Sequence, residues 1–210
     1  RVLFRSGKIL YEFFMAQADE ERFLVDCAAP RAADLVKRLG LYKLRAKVTM
    51  APSSDSVAAV WDGNALAARD GILGVTDPRL PALGQRLVGP RAALEKELSD
   101  IQPGDYAAHR LALGVPDSAD LIPDTVFALD AGLEEFGGVS FKKGCYVGQE
   151  VTSRMKHRAT ARRRFLIADI AGVVPPAGTA LDANGLEIGT LATGIEGRAL
   201  ALVRLDRLAD

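Results

Sequence analysis

Apolar residues fall in short strand-like runs at both ends of the chain and at helical spacing between them. Lys8 to Gln17 and Arg22 to Ala28 are rich in Ile, Phe, Leu and Val and flank the polar turn Ala18-Asp19-Glu20-Glu21, which predicts two strands. In the second, Phe23, Val25 and Cys27 share one face, so Cys27 is expected as a packed core thiol. Pro30 stands where a first helical residue would, and Ala33, Leu35, Val36, Leu39 and Leu41 follow at near-helical spacing. Arg45 to Ala51 and Ser56 to Asp62 read as further strands, the second joined to Ala65 to Arg69 by a hairpin turn at Asp62-Gly63-Asn64.

The middle of the chain is helical. Arg91 to Leu98 and Gly104 to Leu113 carry alanine and leucine among charges, with no internal glycine or proline. The character then changes to strands near Arg164 to Ile170, Thr179 to Leu181, Leu186 to Thr193 and Arg198 to Val203. Pro175-Pro176-Ala177-Gly178 and Asn184-Gly185 punctuate them, and Asn-Gly between apolar runs is a strong hairpin signal. These patterns predict an α+β region over residues 1–159 and a small antiparallel β-barrel or sheet over residues 160–210.

Composition narrows the class. With 210 residues, 49% of them hydrophobic and 26% charged, the chain matches one or two globular domains and excludes disorder and collagen. A core of this size needs neither disulfides nor a structural metal. Cys27 and Cys145 are far apart and form no C-x-x-C pair, so a disulfide framework or structural zinc is not indicated and a reducing compartment is. The apolar stretch Ile9 to Ala16 is broken by Glu12 and is too short to span a bilayer.

The 27 basic and 27 acidic side chains cancel only globally. Between Lys142 and Arg164 stand Lys142, Lys143, Arg154, Lys156, Arg158, Arg162, Arg163 and Arg164 against Glu150 alone, a window of about +7. Two readings remain open: a solvated basic face, or a surface that steers an anion such as RNA phosphates or a glutamate tail.

Gly137 to Glu150 is the most informative stretch, with four glycines in fourteen residues. A helix is expected from Gly148, because Val147, Val151 and Met155 fall on one stripe and Glu150 and Arg154 form an i,i+4 pair. Cys145 would then precede a helix N-terminus and stand two residues from Lys143, both of which favour a thiolate; a buried, inert cysteine is the alternative. Other catalytic motifs are lacking: there is no G-x-S-x-G, H-E-x-x-H, G-x-x-x-x-G-K-[ST] or G-x-G-x-x-G. His157 follows Cys145 by twelve residues, so an intervening helix would hold them about 15–18 Å apart and disfavour a Cys/His dyad. His109 is expected as a half-buried helical residue.

Lys143-Gly144-Cys145-Tyr146-Val147-Gly148-Gln149-Glu150 resembles the K-G-C-Y-x-G-Q-E signature of the YgfZ-type folate-binding proteins, relatives of the glycine-cleavage T-protein (aminomethyltransferase). The resemblance extends through Val151 to Arg158, and upstream through Arg110 to Pro116, Phe127 to Leu133, Leu41 to Val48 and Gly7 to Leu10. It implies T-protein-like folate-binding modules followed by a small C-terminal antiparallel β-barrel. It also implies that strands and a helix precede Gly7, so the chain reads as N-terminally shortened, and Arg1 to Ser6 do not match what should stand there. Asp130 occupies the position of the glutamate that holds the pterin ring in the family, one methylene shorter.

What the resemblance implies is a folate-binding accessory protein that supports iron–sulfur cluster assembly or repair and, through iron–sulfur enzymes, tRNA modification. The bound group would be tetrahydrofolate or a derivative, and the partners iron–sulfur client or assembly proteins, with tRNA reached only indirectly and no membrane. The compartment would be the bacterial cytoplasm or the mitochondrial matrix. Cys145 would be the reactive or ligating thiol, with Lys143 beside it. Asp130, Arg110, Tyr146, Gln149, Glu150, Arg154, Arg162 and Arg163 would face folate, the last two meeting its anionic tail. One motif cysteine cannot hold a stable four-cysteine cluster, so no resident metal site is expected. A folate-dependent aminomethyltransferase is the enzymatic alternative, and an RNA-binding module built on the basic segment is the third; whether there is catalytic turnover stays open.

Overall fold

The structure is a computed structural model that describes residues 2–5, 7–61, 71–99, 105–158, 162–195 and 197–208. In chain order its strands are β1 (Val2–Arg5), β2 (Lys8–Glu12), β3 (Phe14–Gln17), β4 (Phe23–Asp26), β5 (Ser56–Val60), β6 (Leu73–Thr76), β7 (Gln85–Gly89), β8 (Arg163–Asp169), β9 (Ala180–Ala183), β10 (Leu186–Ile195) and β11 (Arg198–Arg204). Its helices are α1 (Ala32–Gly40), α2 (Arg91–Glu97), α3 (Tyr106–Ala112) and α4 (Gln149–His157). The chain forms two compact units. One comprises Arg1–Glu12, Pro78–Leu83 and Gly104–Asp210; the other comprises Phe13–Asp77 and Gly84–Pro103. The C-terminal sheet therefore groups with α3 and α4, and not with α2, although the change to all-β sequence comes near residue 160.

In the Phe13–Asp77 and Gly84–Pro103 unit, β7 is the central strand of an antiparallel sheet ordered β5-β7-β6. Val60, Ile72, Leu87 and Leu94 are buried together, which seats α2 on the sheet. Strands β3 and β4 form a separate hairpin. Arg86 of β7 lies 4.2 Å from the Phe14 ring and donates from Nε to Asp26 at 2.9 Å, so the hairpin face carrying Phe14 and Asp26 turns inward. This corrects the expected face of β4. Phe23 and Val25 are exposed, Leu24 and Asp26 are half-buried, and Cys27, past the strand end, is half-buried rather than in the core. Burial and the neighbouring Asp26 carboxylate push the Cys27 thiol up, against Arg31.

The strand expected over residues 45–51 does not form. Turn bonds from Lys43 to Gly40 and from Ala46 to Lys43 bend the chain, Leu44 takes φ +48° and is 88% exposed, and alternation alone gives no strand without a partner edge. The single strand expected over Lys8 to Gln17 is broken at Phe13, where one unit ends and the other begins. Strands β6 and β7 were not anticipated, their runs being short and interrupted by Gly74 and Arg86. The turn Asp62-Gly63-Asn64 and the strand Ala65 to Arg69 lie outside the described residues.

In the other unit β2 pairs with β1, and its Ile9 joins the 121–133 segment through Ile9 N–H to Val126 O (2.9 Å) and Asp124 N–H to Ile9 O (2.8 Å). Ile9, Leu121, Val126, Ala128, Ala131, Leu133, Val139 and Leu202 form the core, with Phe136, Phe141, Tyr146 and Phe165 packed on it. The C-terminal strands make an antiparallel sheet ordered β8-β11-β10-β9. Asn184 (φ +55°) and Gly185 (φ +81°) close the β9–β10 hairpin, the pair of positive φ values that the sequence Asn-Gly supplies at low cost.

Candidate functional site

Helix α4 starts where a side chain would be strained. Its N-cap is Gly148 at φ +86°, and the Gln149 side chain closes the turn by accepting the Tyr146 N–H through Oε1 at 3.2 Å. Thr152 is buried and donates to Gly148 O at 3.0 Å. Glu150 sits in the first turn, where the helix dipole favours an anion, and pairs with Arg154 at 2.5 Å, as the spacing predicts. The helix lies close to Gly7, just ahead of β2: a Cβ there would lie 2.8 Å from Val151. Glycine at position 7 is thus a packing requirement of α4, and its φ of +83° favours glycine as well.

The residues ahead of α4 form a loop fixed at both ends and open between them. Tyr146 is half-buried on the core, with its phenol pushed up by burial, and Lys143 Nζ lies 4.6 Å from its ring centroid. At the other end Phe141 packs on the same core. Lys142, Lys143, Gly144 and Cys145 between them are exposed, and nothing lies within 4 Å of where a Gly144 Cβ would be. Cys145 therefore meets solvent and any partner directly. His157 ends α4 and is exposed; the nine residues of the helix, about 13 Å of rise, separate it from the cysteine loop, so the two form no dyad. His109 is half-buried on α3, its Nε2 2.9 Å from Ala82 O.

Asp130 is the buried carboxylate of this region, 7% exposed in a run of turns that begins at Ala128. Its Oδ1 accepts the Arg163 N–H at 3.4 Å. Burial pushes the carboxyl above its ordinary range, against the Arg163 N–H and the charges of Arg163 and Arg164. A buried, acceptor-only group of this kind calls for further N–H donors. The 2-amino and ring N–H groups of a pterin are such donors, so the residue fits the group that the sequence resemblance implies.

The remaining candidates are distributed differently. Arg110 is 2% exposed and directs its donors inside the protein, to Asp120 Oδ2 (2.8 Å) and Val115 O (2.5 Å), with Asp117 3.7 Å from Nε. Asp120 in turn accepts the Thr193 N–H at 2.8 Å, which ties this loop to β10. Arg162 is exposed and 3.8 Å from Asp206. Arg163 is exposed at the first position of β8, directly beside the Asp130 bond. Two residues that the sequence reading did not single out, Glu134 and Glu135, complete the turn: Arg164 bonds Leu129 O and, at 2.8 Å, Glu135, while Glu134 pairs with Lys156 of α4. The adjacent acids Glu134-Glu135 in an otherwise apolar segment were the signal available for both. Among the described residues, no group of three or more His, Cys, Asp or Glu side chains is arranged to hold a metal ion, and no helix is long and apolar enough to cross a membrane.

Comparison with known proteins places this geometry in context. Residues 162–210 match the family described as CAF17, C-terminal beta-barrel domain. The chain is similar to the iron-sulfur cluster assembly factor IBA57, mitochondrial, of Homo sapiens, with 32% identity over 227 residues that cover 97% of this chain and 63% of that protein. The mouse protein of the same name is 30% identical over 231 residues, with the same coverages. A homolog of that factor from Pyricularia oryzae is 32% identical over 174 residues, covering 77% of this chain and 45% of the relative. The chain thus spans under two thirds of the length of these relatives.

Proposed function

We propose that this chain is the folate-binding and thiol-bearing part of an accessory factor for iron–sulfur cluster assembly or repair. The observation that carries the reading is the solvent-exposed Cys145 on the loop capping α4, in a chain of which 97% aligns with proteins named iron-sulfur cluster assembly factors. A lone exposed thiolate can ligate or receive a cluster only together with ligands from a partner, so the cluster is cargo here and the partner a client or assembly protein. Asp130 supplies the acceptor for the pterin of tetrahydrofolate or a derivative, and the exposed side chains of Arg162 and Arg163 offer positive charge to carboxylates farther along the ligand. Effects on tRNA modification would follow through iron–sulfur enzymes. The relatives' names place them in mitochondria, and the matrix, or the cytoplasm in a bacterial setting, suits a chain with free cysteines.

The test is calorimetric titration with 5-formyltetrahydrofolate between pH 4 and 8. Pterin donors favour ionised Asp130, so binding should weaken as the pH falls through the raised value of that carboxyl, and Asp130→Asn should weaken it at neutral pH and flatten the profile. Binding that is unchanged in Asp130→Asn would remove this residue from the site, and no binding at any pH would remove folate from the function.

A further inference from the structure

Lys156 sits in the last turn of α4 and touches two segments that the proposed function treats separately. Its Nζ pairs with Glu134, four residues beyond Asp130. The same ammonium lies 4.6 Å from the Phe141 ring centroid, at the start of the exposed Lys142 to Cys145 stretch. The Glu134 side is rigidly connected to Asp130: Leu133 N–H bonds Ala128 O at 2.9 Å, Ala131 N–H bonds Phe127 O at 3.0 Å, and Gly137 N–H bonds Glu134 O at 3.1 Å. On the Phe141 side, the four residues before Tyr146 are open to solvent, so the core packing of Phe141 and Tyr146, with the cation at Phe141 and the Gln149 bond at Tyr146, sets the path of the cysteine loop.

The geometry points to Lys156 as a positioning residue that couples the Asp130 turn to the Cys145 loop. Movement of the turn shifts Glu134, the ammonium follows the carboxylate, and its place over the Phe141 ring changes with it. Ligand held at Asp130 and the path of the Cys145 loop then depend on one another, and the dependence is reciprocal. The coupling rests on the reading of Asp130 and Cys145 given above, but its physical basis, one cation shared by two segments, can be measured without ligand. Both contacts are partly exposed, the Lys156 and Glu134 side chains being 42% and 34% accessible, so each shifts an equilibrium by about two- to five-fold.

The experiment is amide hydrogen exchange over residues 141–145 in the wild-type chain, Glu134→Gln, Lys156→Met and the double variant. Each single change should speed exchange there by about two- to five-fold, the double variant no more than the larger single effect, and Lys156→Arg, which keeps both the charge and the ring contact, should stay near wild type. No effect of Glu134→Gln on residues 141–145, or additive effects in the double variant, would overturn the coupling. In a second arm 5-formyltetrahydrofolate should slow exchange at 141–145 in the wild type and clearly less in Lys156→Met. Equal protection in both would also overturn it. If the folate binds neither protein, the folate reading fails, and the ligand-free cycle still decides the coupling.

Discussion

Glu12 offers the sharpest quantitative test of the structure. It ends β2 at 9% exposure, and burial raises its carboxyl from an ordinary 4.5 to about 7, with Arg79 opposing, Asp117 reinforcing and the Ser118 hydroxyl opposing. Burial prevails because the Arg79 ion pair is long, 4.0 Å, and that guanidinium also donates to the Tyr106 hydroxyl at 2.8 Å and to Pro116 O at 3.4 Å. Ser118 gives Glu12 one hydrogen bond, at 3.1 Å. A carboxyl whose folded value lies above its unfolded value binds more protons when folded, so its contribution to stability is present below pH 4.5 and is lost as the pH rises to about 7. The difference of 2.5 corresponds to about 3 kcal/mol. Glu12→Gln imitates the protonated side chain at every pH. The variant should therefore be more stable than the wild type by about 3 kcal/mol at pH 8, with a Tm higher by about 6–12 °C, and nearly equal at pH 4. Urea and thermal denaturation of both proteins from pH 4 to 8 measure this directly. Parallel pH profiles, or a variant less stable at pH 8, would show that the Arg79 pair outweighs the burial of Glu12 and refute the reasoning.

Three further outcomes follow from the placement of side chains. Exposed Cys145 should be alkylated much faster at neutral pH than half-buried Cys27, whose thiol is pushed up, as read by peptide mass spectrometry; Cys145→Ser should change the unfolding free energy little. Arg110→Met should cost about 3–5 kcal/mol in urea unfolding, because it leaves the buried Asp120 carboxylate without its cation; a loss of folate affinity with unchanged stability would instead return Arg110 to the ligand site. Replacing Arg162 and Arg163 together by alanine should weaken a polyglutamylated folate more than the monoglutamate in calorimetric titration, because the longer tail offers extra carboxylates to the basic segment; equal loss would leave these arginines as a solvated face.

Much of the local structure follows from the sequence, because its determinants are themselves local. The Asn184-Gly185 hairpin, Pro30 just ahead of α1, the start of α4 after Gly148 and the C-terminal run of strands follow from turn chemistry and short-range periodicity. The loop that carries Cys145 was legible for the same reason, its glycines and its i,i+4 pair being contained within one stretch. The tertiary structure decided everything that depends on a partner distant in the chain. Three consecutive apolar residues, Phe23-Leu24-Val25, suit either face of a strand, and only Arg86 reaching Asp26 selects one. The alternating pattern over residues 45–51 pairs with no strand among the described residues and remained irregular. Arg110 read as a ligand contact until Asp120 and the Val115 carbonyl took its donors. Glu12 read as a break in an apolar run, yet its environment is made by Arg79, Asp117 and Ser118, brought from far along the chain. Lys156 belonged to a basic window by composition, and its pairing with Glu134 exists only because α4 packs beside the Asp130 turn. Periodicity and turn preference act over a few residues, whereas burial and ion pairing depend on distances that the chain acquires only when folded.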